Sequence, residues 1–125
     1  MANRPPNSSL GEVIREARVA RGKGLRELAA RIDITPSYLS DIENDRRVPA
    51  EDVLRTLSQH LDLDFDDLMA RAGRLGEGTM RYMSRTPAAG VLFRKLSEEN
   101  APKDVIEKLA KALDDELKGK KRNDR

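Results

Sequence analysis

Leu25–Asn44 reads LRELAARIDITPSYLSDIEN, and the spacing of its apolar positions decides the fold. Two short helices fit it, one from Leu25 to about Ile32 and one from Pro36 to about Asn44, with a tight turn at Asp33-Ile34 between them. Thr35 is placed to cap the second helix, and Pro36 fits its first turn, where a missing N–H costs nothing. Leu28, Ile32, Ile34, Leu39 and Ile42 are apolar where the pair must pack together, and small Ala29 stands where the helices approach most closely. The outward positions of the second helix are then Pro36, Ser37, Tyr38, Ser40 and Asp41. A helix is narrow enough for the major groove of DNA, where short polar side chains reach base edges. Other helix pairs share this pattern, so the pair alone leaves DNA binding open.

The flanks extend the same helical reading. Leu10, Val13, Ile14 and Ala17 follow the i, i+3, i+4, i+7 pattern behind Ser8 and Ser9 as caps. Arg21-Gly22-Lys23-Gly24 ends that helix, because glycine tolerates a left-handed cap. Downstream, Pro49 is expected to open a fourth helix with Val53, Leu54, Leu57 and Leu61 as its stripe. Phe65 to about Ala72 forms a fifth, with Phe65, Leu68 and Met69 inward. Gly73, Gly76 and Gly78 mark the boundary after it. Thr86-Pro87 repeats the cap-then-proline start and leads into Val91, Leu92, Phe93 and Leu96; Asn100-Ala101-Pro102 interrupts that helix. Val105, Ile106, Leu109, Leu113 and Leu117 line a last one. The expected organisation is a flexible arm (1–9), a five-helix unit (10–72), a glycine-rich linker (73–78), a helical region (79–118) and a disordered charged tail (119–125). No alternating strand pattern appears, and the chain reads all-α.

Composition narrows the chemistry. The chain has 125 residues, 24 Lys and Arg against 22 Asp and Glu, no Cys, no Trp and a single His. Without cysteines there is no disulfide framework, thiol nucleophile or thiolate metal site, and His60 alone makes no histidine cluster. Two Phe and two Tyr are too few for a base-stacking platform. No stretch approaches the roughly 20 apolar residues that span a bilayer, and MANRPPNSS lacks the apolar run of a signal peptide. A cytoplasmic chain with no membrane association, no metal, no cofactor and no enzymatic activity is the expectation. The net charge of +2 hides a basic front (+4 over 1–31), an acidic middle (−4 over 51–78) and a basic end (+4 over 79–125). Such polarity suits a module that meets an anion with one face, and equally a series of solvated helix faces.

Residues 10–72 resemble the Xre, or lambda-repressor-like, helix-turn-helix family across all five of its helices, about half of the chain. The resemblance lies in LGEVIREARVARG, LRELA, ITPSYLSDIEN and VPAEDVLRTLSQHLDLDFDDLM, and TPSYLSDIEN followed by a polar loop and a proline is its most specific part. It implies a five-helix lambda-repressor-like DNA-binding domain with a C-terminal helical extension. It pairs Arg18 on the first helix with Glu43 near the end of the recognition helix (36–44) as a structural ion pair. It assigns base contacts to Thr35, Pro36, Ser37 and Asp41, with Tyr38 and Ser40 beside them; Thr35 also suits a purely capping role, and Tyr38 a purely packing one. Phosphate contacts fall to Arg46 and Arg47, with Asn44 before them. Leu25 departs from the glutamine common at that position, and Arg26 is its partial replacement. Asp33 stands where glycine is usual, and Asp tolerates the left-handed backbone better than most residues.

The resemblance further implies a transcriptional regulator, most often a repressor, that binds a double-stranded operator of two half-sites as a homodimer. Val91, Leu92, Leu96, Ile106, Leu109, Leu113 and Leu117 are the candidate dimerisation residues. An antitoxin whose C-terminal helices mask a toxin is the alternative, although such tails are usually poorly structured alone. A repressor relieved by a partner protease is another. Asp62, Asp64, Asp66 and Asp67 lack the glycine and closing glutamate of a calcium loop, and Asp64 is a natural helix cap instead.

Overall fold

The computed structural model describes residues 8–123, which form eight helices and, among the described residues, no strand. Residues 1–7 of the expected arm and residues 124–125 of the expected tail lie outside the described residues. The chain divides into two compact units, Met1–Thr79 and Met80–Arg125.

Five helices build the first unit: α1 (Leu10–Ala20), α2 (Leu25–Arg31), α3 (Pro36–Glu43), α4 (Glu51–Leu61) and α5 (Phe65–Arg71). The α1 stripe is buried as its periodicity requires, Leu10, Val13, Ile14 and Ala17 all facing inward. They join Leu28, Ala29, Leu39, Ile42, Leu54, Leu57, Leu61 and Leu68 in one core. Ser9 caps α1 by accepting from the Glu12 N–H, and Asp64 caps α5 by accepting from the Asp66 and Asp67 N–H groups. The acidic run around Asp64 therefore starts a helix. Arginines tie distant ends of the unit together: Arg71 donates to the Ser8 carbonyl at 2.7 Å, Arg74 to the Pro49 carbonyl at 2.8 Å. Pro49 does not open α4 as the sequence suggests, because Ala50 after it is extended (ψ 163°). Pro49 is buried and lies ahead of α4, which starts at Glu51 behind Ala50, its N-cap.

The α2–α3 turn carries the chain through the left-handed region at Asp33 (φ 59°), as the Asp-for-Gly reading expects. The Ile34 N–H donates back to the Ala29 carbonyl at 3.0 Å, which folds α3 closely against α2. Ala29 is fully buried there, so a larger side chain would hold the helices apart.

The second region departs from expectation in three places. Glu77 and Gly78, assigned to the linker, belong to an additional helix, α6 (Glu77–Arg85), within which the two units divide. Glycines at 73, 76 and 78 concealed it; only Gly73 (φ 68°) and Gly76 (φ 85°) adopt the left-handed backbone that breaks a helix. Thr86, the expected cap of α7 (Pro87–Glu98), makes no side-chain capping bond. It is the sole residue between α6 and α7, and its own N–H closes α6 on the Met83 carbonyl. Finally, α8 (Lys103–Asn123) continues through Gly119 into the expected disordered tail. Lys120, Lys121 and Arg122 in its last turn face the negative end of the helix dipole, which offsets a glycine cost of about 1 kcal/mol. Among the described residues no helix is long and apolar enough to cross a membrane.

Candidate nucleic-acid interface

The site is organised around α3. Thr35 accepts from the Tyr38 N–H at 3.0 Å and so starts the helix, with Pro36 supplying a preset φ in the first turn. Leu39 and Ile42 are fully buried, which fixes the rotation of α3 and leaves Ser37 exposed and Ser40 and Asp41 half-buried on its outer side. The rotation is locked a second time by Glu43, whose side chain is 5% exposed. Arg18 of α1 reaches both its oxygens, Nε at 2.7 Å and Nη2 at 2.9 Å, and its Nη1 donates to the Lys23 carbonyl at 2.8 Å. Hydrogen bonding to Glu43 raises the Arg18 pKa, against the opposing effect of desolvation, so the guanidinium stays charged.

The loop after α3 is tied back to the same helix. The Arg46 N–H donates to the Asp41 carbonyl at 2.8 Å, and the side chains of Asp41 and Arg46 approach to 4.0 Å. The Arg47 guanidinium stacks 5.4 Å from the Tyr38 ring centroid. Tyr38 therefore both packs against the core edge and supports a cation over its ring. Asn44 turns its amide back to donate to the Ser40 carbonyl at 2.8 Å. Asp41, Arg46, Arg47, Tyr38, Ser40 and Asn44 thus form one connected surface. Arg26 is exposed in the first turn of α2 and bonds to none of them.

Two residues of this architecture escaped the sequence reading. Asp45 takes a left-handed backbone (φ 58°), and its carboxylate accepts from the Gly11 N–H of α1 at 2.9 Å. Gly11 in turn lets α1 lie against the end of α3: an added Cβ would meet the Ile42 carbonyl oxygen at 2.6 Å and the Glu43 carbonyl oxygen more closely still. The available signal was helical spacing, since Gly11 lies seven residues before Arg18 and so shares its face.

A protein-family model described as a helix-turn-helix domain matches residues 11–74. The HTH-type transcriptional regulator DdrOP3 of Deinococcus deserti is 30% identical over 116 residues, 93% of this chain and 87% of that protein. The chain belongs to the helix-turn-helix transcriptional regulators. Within them this regulator is Xre-like, as its five-helix unit is. It is also similar to the transcriptional regulator ClgR of Mycobacterium tuberculosis, 32% identical over 79 residues, which are 63% of this chain and 70% of that one. A crystal structure of the clp gene regulator ClgR from Corynebacterium glutamicum is 28% identical, with a TM-score of 0.46 over 74% of this chain and 92% of its own. The similarity to DdrOP3 covers 93% of this chain, so it reaches past the matched helix-turn-helix domain into the C-terminal region.

Proposed function

We propose that this regulator is an operator-binding repressor that acts in the cytoplasm as a homodimer, each subunit placing α3 in the major groove of one half-site. The observation that carries the proposal is the connected surface on α3 and the loop behind it. An apolar inner side and the Arg18–Glu43 pair set the helix, and the polar outer side is left for base edges. Ser37, exposed and making no side-chain hydrogen bond among the described residues, is the best-placed base reader; Thr35, Pro36, Tyr38, Ser40 and Asp41 surround it. Asp41 accepts from cytosine N4 rather than approaching phosphate, and its contact with Arg46 moderates its repulsion from the backbone. Arg46 and Arg47 anchor the flanking phosphates, assisted by Asn44 and by Arg26. Occupation of the operator then blocks transcription.

Dimerisation falls to the second unit. No residue of α6 or α7 is buried, and Val91 (66% exposed) and Leu113 (57%) stand open to solvent. Leu92, Ile106, Leu109 and Leu117 are likewise exposed, and Leu96 is half-buried. Helices this apolar and this short cannot form a core alone, so a second copy is the economical cover. Footprinting on DNA upstream of its own gene tests the reading together with sedimentation of the full chain and of a 1–76 fragment that stops before α6. Two protected half-sites about one helical turn apart, a full-length dimer and a weaker-binding fragment are expected. A monomeric full chain binding no more tightly than the fragment would refute the dimer and leave those helices to another protein, such as a toxin or a protease.

A further inference from the structure

Gly11, Arg15 and Arg18 follow one another at i, i+4 and i+7 on α1 and share a face. Gly11 lies against the carbonyls at the end of α3, and Arg18 bonds Glu43 in its last turn. Arg15 therefore emerges at the seam between the two contacts, beside the C-terminal half of α3. It lines a polar groove of about 310 Å³ together with Arg18, Leu25, Ser40, Glu43 and Asn44. The charges in this groove are unequal. Both Glu43 oxygens are taken by Arg18, whereas Arg15 makes no hydrogen bond or ion pair among the described residues. The groove thus holds one uncommitted guanidinium next to the Ser40 hydroxyl and the Asn44 amide. Arg26 is not among the residues that line it.

We infer that Arg15 is a DNA phosphate anchor, holding a backbone phosphodiester in this groove with Ser40 and Asn44 beside it; the inference rests on the operator-binding reading above. The ligand follows from the dimensions. A helix with its side chains is about 10–12 Å across and the major groove about 12 Å wide, so the phosphate chains run along both sides of an inserted α3. A residue at the seam with the neighbouring helix then faces one of these chains. Arginine matches a phosphate with two parallel N–H donors, and such contacts set register and orientation rather than sequence preference.

The test is the salt dependence of full-length binding to the footprinted duplex and to a non-operator duplex of equal length. Arg15→Gln should reduce the slope of log K against log salt by about 0.9 on both duplexes, which is about a fivefold loss at 0.15 M salt. Arg15→Lys should restore the slope, and Lys111→Gln, an equal charge change on α8, should leave it untouched. Thermal unfolding of Arg15→Gln should match the parent, since no intramolecular bond is lost. An unchanged Arg15→Gln slope, with Arg46→Ala flattening it, would overturn the inference and spare the operator reading. Equal flattening by Lys111→Gln would also overturn it. A parent chain with no salt-linked binding to either duplex would overturn the operator reading, and the Arg15 anchor with it.

Discussion

Glu43→Ala should be among the most damaging single changes in the first unit. The substitution removes hydrogen bonds of 2.7 and 2.9 Å and leaves the Arg18 side chain, only 12% exposed, with the Lys23 carbonyl as its remaining partner. Removing one partner of a buried ion pair typically costs about 3–5 kcal/mol, because the other charge stays desolvated. The Lys23 bond and the residual exposure of Arg18 place this case near the lower end, about 3 kcal/mol. A domain of this size loses roughly 4–8 °C of Tm per kcal/mol, so a fall of about 12–24 °C is expected. Thermal unfolding followed by circular dichroism measures the fall in Tm, and urea denaturation the loss of free energy. The double variant Arg18→Met/Glu43→Leu should regain most of the loss, since apolar replacement of a buried pair is often neutral. Little pH dependence should come from the Arg18 side. A basic group with a raised folded pKa keeps its contribution below its unfolded pKa and loses it only as pH rises through the folded value, here beyond the working range. A single variant costing under about 1 kcal/mol, or a double variant costing the sum of the singles, would refute the reasoning.

Arg46→Ala and Arg47→Ala should weaken binding to every sequence and lower the salt slope by about one unit per phosphate contact, read by fluorescence anisotropy across salt concentrations. Ser37→Ala and Asp41→Asn should instead change which base is preferred at one position, as selection from a randomised half-site would report. Gly11→Ala brings a methyl group against two carbonyl oxygens, with Ile42 O at 2.6 Å, and should cost about 1–3 kcal/mol of unfolding free energy and operator affinity with it. At Asp45, alanine loses the bond to Gly11 and keeps the left-handed strain, whereas glycine loses the bond but relieves the strain. Asp45→Ala should therefore be less stable than Asp45→Gly by about 1 kcal/mol, a difference that thermal unfolding resolves.

The first unit was largely legible because its information is local. Periodic apolar residues in α1 and α4, caps at Ser9, Thr35 and Asp64, and an aspartate in the α2–α3 turn each act within a few residues. The second region was less so, because its signals conflict. Gly78 and Gly119 read as breaks, yet both lie inside helices. A glycine costs about 1 kcal/mol in a helix, and neighbouring residues with good helix propensity absorb that amount. From residue 73 onward, the glycines whose φ turns positive, Gly73 and Gly76, are the ones that lie between helices, as Gly22 does after α1.

The candidate interface divides along the same line. The residues on α3 follow from which positions its apolar side leaves over, and Arg18 and Glu43 came as a pair from the family resemblance. What no local pattern announces is the support beneath the Arg46-Arg47 loop. The Asp45 carboxylate bonds an N–H 34 residues earlier in the chain, and that bond needs the close approach of α1 that Gly11 allows. Asp45 is exposed and charged, so it reads as an ordinary loop residue until α1 is placed next to it. Its carboxylate lies one residue from Arg46, yet its bond to Gly11 directs it toward the start of α1. The same packing that anchors the loop thus draws a negative charge toward α1 and leaves the two arginines to meet an anion. An interface of this kind depends on residues that need never touch DNA, which is why Asp45→Gly should weaken binding even though it relieves backbone strain.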